Sequence, residues 1–153
     1  ANLAGTNLTN ANLSGAQLSG AIFDGATMTG AKLPGADLSG CSLQTVKLDK
    51  ANLKKANLSR ANLSSATLAS SNLGMSLALH TNFNDADLTG ASLFQIYAEN
   101  SDFTGAKLVS SNLKNAYLAR AVFTNATVNL IFVNSKTILT GATLDTNGAI
   151  TTQ

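Results

Sequence analysis

The sequence predicts an all-β fold, a four-sided parallel β-helix of about seven coils, and three observations predict it. The chain divides from Ala1 into 28 consecutive five-residue units. The middle residue of 26 of them is Leu, Phe, Met, Val or Ile, and irregularities in that pattern recur 20 residues apart.

The units run ANLAG, TNLTN, ANLSG, AQLSG and onward to KTILT at 136–140, and the middle residue of each is here termed the centre. Only Ala78 and Ala98 break the apolar rule at the centre. The residue two before it is Ala in 17 units, and nine of the twelve glycines sit two after it. On an α-helix, centres five apart would rotate about 140° each and coat every side. On a continuous strand an odd period would send them to alternate faces. Burying all of them together requires the backbone to turn once per unit, each unit forming one side of a closed coil.

The number of sides follows from coincidences among the centres. Phe83, Phe103 and Phe123 lie 20 apart, Phe23 shares their phase, and Ala78 and Ala98 are also 20 apart. Four units per coil would stack these residues at the strand spacing of about 4.8 Å, giving a rod of roughly 33 Å.

Tandem units of the form A(N/D)LxG resemble the pentapeptide-repeat family, and the resemblance covers nearly the whole chain. It implies a right-handed four-sided β-helix in which the centre and the small residue two before it point inward, while the other three positions face outward. It is also similar to bacterial, especially cyanobacterial, members. Cys41 stands at the small-residue position and is expected to be buried and structural. As a lone cysteine it cannot form an intrachain disulfide. After Ala126 the pattern decays: the centres become Val128, Val133 and Ile138, and ATLDT at 142–146 is out of phase by one. The expected organisation is a β-helix over 1–140 and an irregular coil or partial cap over 141–153, covering an otherwise open edge. Neither end carries a capping helix in the sequence pattern, which leaves an end-to-end homodimer open.

The residues offer no catalytic, cofactor-binding or metal-binding set. His80 is the only histidine, and its place two after a centre makes it a surface residue. Asp85, Asp87, Glu99 and Asp102 cluster along the chain but spread over three sides, and Asp87 lies 20 residues from Lys107, as a surface ion pair between coils would. Gly25 and Gly30 have phosphate-loop spacing, but Ala31 and Lys32 follow where Lys and Ser or Thr are needed. No apolar run approaches the roughly 18 residues of a membrane span, so a soluble protein is expected, with a cytoplasmic location favoured. The chain starts at Ala1 inside a repeat, as a trimmed or processed chain would, and a removed leader is left open.

Two surface features stand out. Lys47, Lys50, Lys54, Lys55 and Arg60, against Asp49, form a basic group that nucleic acid or an anionic surface could meet, or that serves only as a solvated face. The second is the outward position before the centres, ordinarily Asn, Asp, Lys, Thr or Ser. At 77, 97 and 117 it is Leu77, Tyr97 and Tyr117, with Phe94 one side earlier, on the very side that lacks Leu at Ala78 and Ala98. Either a bulge turns Leu77, Leu79 or Tyr97 inward to replace the missing bulk, or the ladder is an exposed strip for a partner. The resulting expectation is a non-catalytic structural or protein-interaction module with a protein partner. The alternatives are a nucleic-acid or anionic-surface binder through residues 47–60 and a DNA-mimicking topoisomerase inhibitor, as resemblance to the quinolone-resistance pentapeptide proteins suggests. Eight acids against ten bases speak against mimicry of a duplex that carries one charge per about 1.7 Å.

Overall fold

A computed structural model describes residues 1–143. Its backbone repeats one move, a single parallel bridge at the residue before each centre followed by a two-residue turn. Bridge partners lie 20 apart from Asn2↔Ile22 to Asn112↔Phe132, so four five-residue sides make a coil. Coils 1 to 6 span 1–120 and a seventh starts at Ala121. Sides 1 to 4 are numbered in chain order, side 1 starting at Ala1 and side 4 at Ala16.

Two local devices explain why five residues suffice to turn a corner. Every fifth residue from Gly5 to Leu130 has φ between 54° and 68°, the left-handed region that glycine enters without a Cβ penalty. Seventeen other residues accept it as well. The second device is the Asn or Asp before the centre. All twelve of them, from Asn2 to Asn112, accept the backbone N–H two residues on through Oδ1. The preference for Asn and Asp is thus a turn chemistry.

The centres form one continuous core. Phe83, Phe103 and Phe123 stack with ring centroids 4.7 and 4.9 Å apart and planes within 6° of parallel, as the 20-residue phase requires. Cys41 is buried and its thiol donates to the Leu18 carbonyl at 3.0 Å. Ser71, Ser76 and Ser111 at equivalent positions donate to the preceding centre's carbonyl, so small polar residues enter the core satisfied.

One expectation fails near the C-terminal end. Ile138 is not a centre: it is 39% exposed and pairs with Tyr117, 21 residues back, while Leu139 packs against the core. With Ile138 inside, Lys136 would occupy the inward small-residue position and bury a charge. A six-residue side instead puts Thr137 there, its hydroxyl donating to Leu113 O at 3.0 Å. The ladder continues to Val122↔Thr143, and the tail expected as a partial cap lies, from 144 on, outside the described residues.

Candidate interaction surface

Single outward apolar residues occur on side 1 at Ile22 and Val122 and on side 3 at Phe132, but among the described residues only side 4 carries them on consecutive coils. Its outward column reads Gln17, Asp37, Asn57, then Leu77, Tyr97, Tyr117 and Ile138. Leu77 and Tyr97 point outward, 43% and 39% exposed, so the expected inward rotation of Leu77 or Tyr97 does not occur. Tyr97 stacks on Tyr117 with centroids 4.7 Å apart. The register shift adds Ile138 on top of Tyr117, which the sequence reading missed because it placed Ile138 in the core. Phe94, Met75 and Leu79 flank the column at its corners, half-buried.

What replaces the bulk missing at Ala98 is found at another core position. Ala78 and Ala98 are both fully buried. Beside Ala98, the small-residue position holds Ile96, also fully buried, so large and small have exchanged places within one unit. Phe83 and Phe103 follow the two alanines by five residues, but Phe23 and Phe123 follow Leu18 and Leu118 in the same way, so the phenylalanines are not specific to the alanine units. The corner after Ala78 is also altered. The Ser101 hydroxyl donates to the Ala78 carbonyl and accepts the Thr81 N–H, where a direct amide-to-carbonyl bond closes most corners. Ile96, where most units have Ala, was the legible signal of this exchange.

The apolar column also forgoes a hydrogen bond. Asp37 and Asn57 cap the amides of Ser39 and Ser59. Leu77, Tyr97 and Tyr117 have no side-chain carbonyl to offer Leu79, Glu99 and Ala119, on three consecutive coils. Stability alone does not favour that choice.

The basic group does not form one track. Lys47, Lys50, Lys54, Lys55 and Arg60 are all exposed, but they belt coil 3: Lys47 on the face of side 2, Lys50 at its end, Lys54 and Lys55 entering side 4, Arg60 leaving it. Arg60 lines a shallow groove with Ser19, Ser39, Leu79 and His80 along the corner after side 4. His80 is exposed. Asp87 faces Lys107 across the ladder. Burial raises its pKa, but hydrogen bonds from Thr89 and the Lys107 charge outweigh this and hold it below the ordinary carboxylate value. Burial pushes the Cys41 thiol up, away from the thiolate a nucleophile needs. Among the described residues no cluster of His, Cys, Asp or Glu is placed to hold a metal, and no helix is long and apolar enough to cross a membrane.

Comparison with known proteins places this geometry. The family model for pentapeptide repeats matches eight copies, over residues 1–40, 41–74 and 99–131. The unmatched stretch 75–98 opens at Met75 and closes at Ala98, so the family pattern lapses where the apolar column begins. No curated protein matches the chain. Among solved structures, HetL, a pentapeptide repeat protein involved in heterocyst differentiation regulation from the cyanobacterium Nostoc sp. strain PCC 7120, is 30% identical, with 95% of this chain and 73% of HetL covered and a TM-score of 0.47. A trypsin-treated variant of QnrB1, a plasmid-mediated fluoroquinolone resistance protein, is 18% identical over 93% of this chain and 88% of its own, with a TM-score of 0.69.

Proposed function

The chain belongs to the pentapeptide-repeat family, and from that premise we propose that it is a non-catalytic module, a right-handed rod that binds a protein partner through the C-terminal half of side 4. One observation carries the reading: Leu77, Tyr97, Tyr117 and Ile138 form a continuous outward apolar column on consecutive coils. The repeat satisfies its own backbone with Asn or Asp at this position, so hydrophobic residues there weaken the turn and expose apolar area to water. The exposed apolar area is recovered when a partner covers the strip. Tyrosine suits such a surface, giving a rigid apolar ring with a polar tip at low entropy cost.

The family supports the non-catalytic part, and the buried thiol and single exposed histidine agree with it. The test is affinity capture from the native host with the parent rod and with Tyr97→Asn/Tyr117→Asn. The variant is expected to fold normally and lose the proteins retained by the parent. Retention of the same proteins by a folded variant would overturn the reading.

A further inference from the structure

The apolar column stands in a cationic surround. From coil 3 to coil 7 the corners bounding side 4 carry Lys54, Lys55, Lys114 and Lys136 on the entering edge, and Arg60 and Arg120 on the leaving edge. Glu99 is the one carboxylate on the same stretch of side and corners. The chain has ten cations and eight carboxylates, of which Asp145 lies outside the described residues, so the rest of the described rod carries four cations and six carboxylates and this face is the positive one. On the leaving edge Arg120 Nε donates to Asn100 Oδ1 at 2.7 Å, while at the entering corner Lys114 Nζ lies 5.9 Å from the centroid of the Phe132 ring on the neighbouring side 3.

We infer, building on the interaction face above, that side 4 of coils 4 to 7 recognises an acidic amphipathic protein segment, an apolar ridge rimmed by Asp and Glu. The ridge would lie along Leu77, Tyr97, Tyr117 and Ile138, with its carboxylates over Lys114 and Lys136 on one edge and Arg120 on the other, and Lys54, Lys55 and Arg60 extending the cationic rim one coil below. Three coil spacings of about 4.8 Å make the column about 14 Å long, the length of nine or ten helical residues at about 1.5 Å each. Charge complementarity at the rim then sets partner choice and encounter rate.

The same charges could attract other anions, but the apolar groups do not suit them. Single-stranded nucleic acid binds by stacking bases on open aromatic faces, and here Tyr97 and Tyr117 stack on each other. A membrane anchor sinks its apolar groups about 5–10 Å below the headgroups, whereas Leu77, Tyr97 and Ile138 lie flat, with no more than 43% of their surface exposed.

The experiment is selection of a displayed library of helical peptides, randomised at apolar and flanking positions, on the parent rod. Affinities of the winners are then measured against three rods: parent, Tyr97→Asn/Tyr117→Asn, and Lys114→Glu/Arg120→Glu, each checked by thermal melting. The expected winners carry apolar residues at i, i+3 or i+4 and i+7 flanked by Asp and Glu. Their affinity should fall about tenfold or more on each variant, and fall between 50 and 500 mM salt as screened charge pairs do. Winners without acidic enrichment that lose affinity only on the tyrosine variant would overturn this inference and leave the interaction face standing. Winners indifferent to both variants would overturn both. Binding of phosphatidylserine vesicles or of an oligothymidine through the same residues, with no peptide selected, would also overturn it and assign the face to that ligand.

Discussion

The two halves of side 4 share a backbone and differ in almost everything else. From coil 1 to coil 3 the side carries polar outward residues, Gln17, Asp37 and Asn57, over leucine centres. From coil 4 on it carries Leu77, Tyr97, Tyr117 and Ile138, over Ala78, Ala98, Leu118 and Leu139. Ladder pairing and the left-handed corner residue continue unchanged from Gly20 to Arg120. The scaffold therefore constrains the inward positions and the corner, and leaves the outward residue to be chosen for other reasons. Where the choice is Asn or Asp it serves the turn; where it is Leu or Tyr it does not, and the proposed interaction face assigns it to a partner.

The largest expected effect strikes the half that obeys the rule. Leu58→Asp puts a carboxylate in a fully buried apolar column, where no partner can satisfy it, and several kcal/mol should be lost. Thermal denaturation should show the neighbouring coils unfolding first. A melting point within about 2 °C of the parent, less than even 1 kcal/mol would produce in a domain of this size, would mean that Leu58 is not core.

Restoring the rule in the other half tests the exchange of large and small residues. Ala98→Leu should overpack the space already used by Ile96 and cost about 1–3 kcal/mol. Ile96→Ala combined with Ala98→Leu returns the unit to the family pattern and should recover most of that loss, as coupled neighbours do. Additive costs in the double variant, measured by chemical denaturation, would show that the two sites do not share a volume.

The tyrosines should matter least to folding although they define the surface. Tyr97→Asn removes a stacked ring, worth about 0.5–1.5 kcal/mol, and supplies an Oδ1 for the Glu99 amide, worth about 0.5–1.5 kcal/mol. The two nearly cancel, so stability should stay within about 1 kcal/mol of the parent, with slower hydrogen exchange at the Glu99 amide. A loss of about 3 kcal/mol or more, typical of a core truncation, would place Tyr97 inside.

How much of this was legible in the sequence depends on how local the cause is. The period of five, the inward centres and the 20-residue phase of the phenylalanines are repeated so often that single exceptions cannot hide them. The outward Leu77, Tyr97 and Tyr117 were legible as breaks in a column. Whether they turned inward was not, because that depends on which residue fills the space beside Ala98, and the fully buried Ile96 stands at the small-residue position of the same unit. Ile138 was misplaced because its unit reads as an ordinary repeat in isolation. Only the cost of burying Lys136 reveals the six-residue side. The cationic edges were invisible as such, since Lys54, Lys114 and Lys136 are far apart in sequence and fall on one edge only once the coil is closed.

The smallest expected effect separates the halves by pH. In the polar half, hydrogen bonds from the Ser39 hydroxyl and amide, with a further one from Asn57, outweigh burial and hold Asp37 below its ordinary value of 3.8. A carboxylate whose folded pKa is depressed contributes stability that is fully present above its unfolded pKa and is lost as pH falls through the folded value. Acidification from neutral pH to below 3.8 should therefore weaken coils 2 and 3 at side 4, by a modest amount because Asp37 is largely solvated. The column of Leu77, Tyr97, Tyr117 and Ile138 carries no carboxylate. Asp37→Asn keeps the amide-accepting oxygen and removes the titration, so its melting point should fall less than the parent's between pH 6 and pH 3, with Asp87 and the other carboxylates supplying the remaining slope. Identical slopes for parent and variant would show that Asp37 gains nothing from its turn in the folded rod, and that the polar half of side 4 is as indifferent to its outward residue as the apolar half.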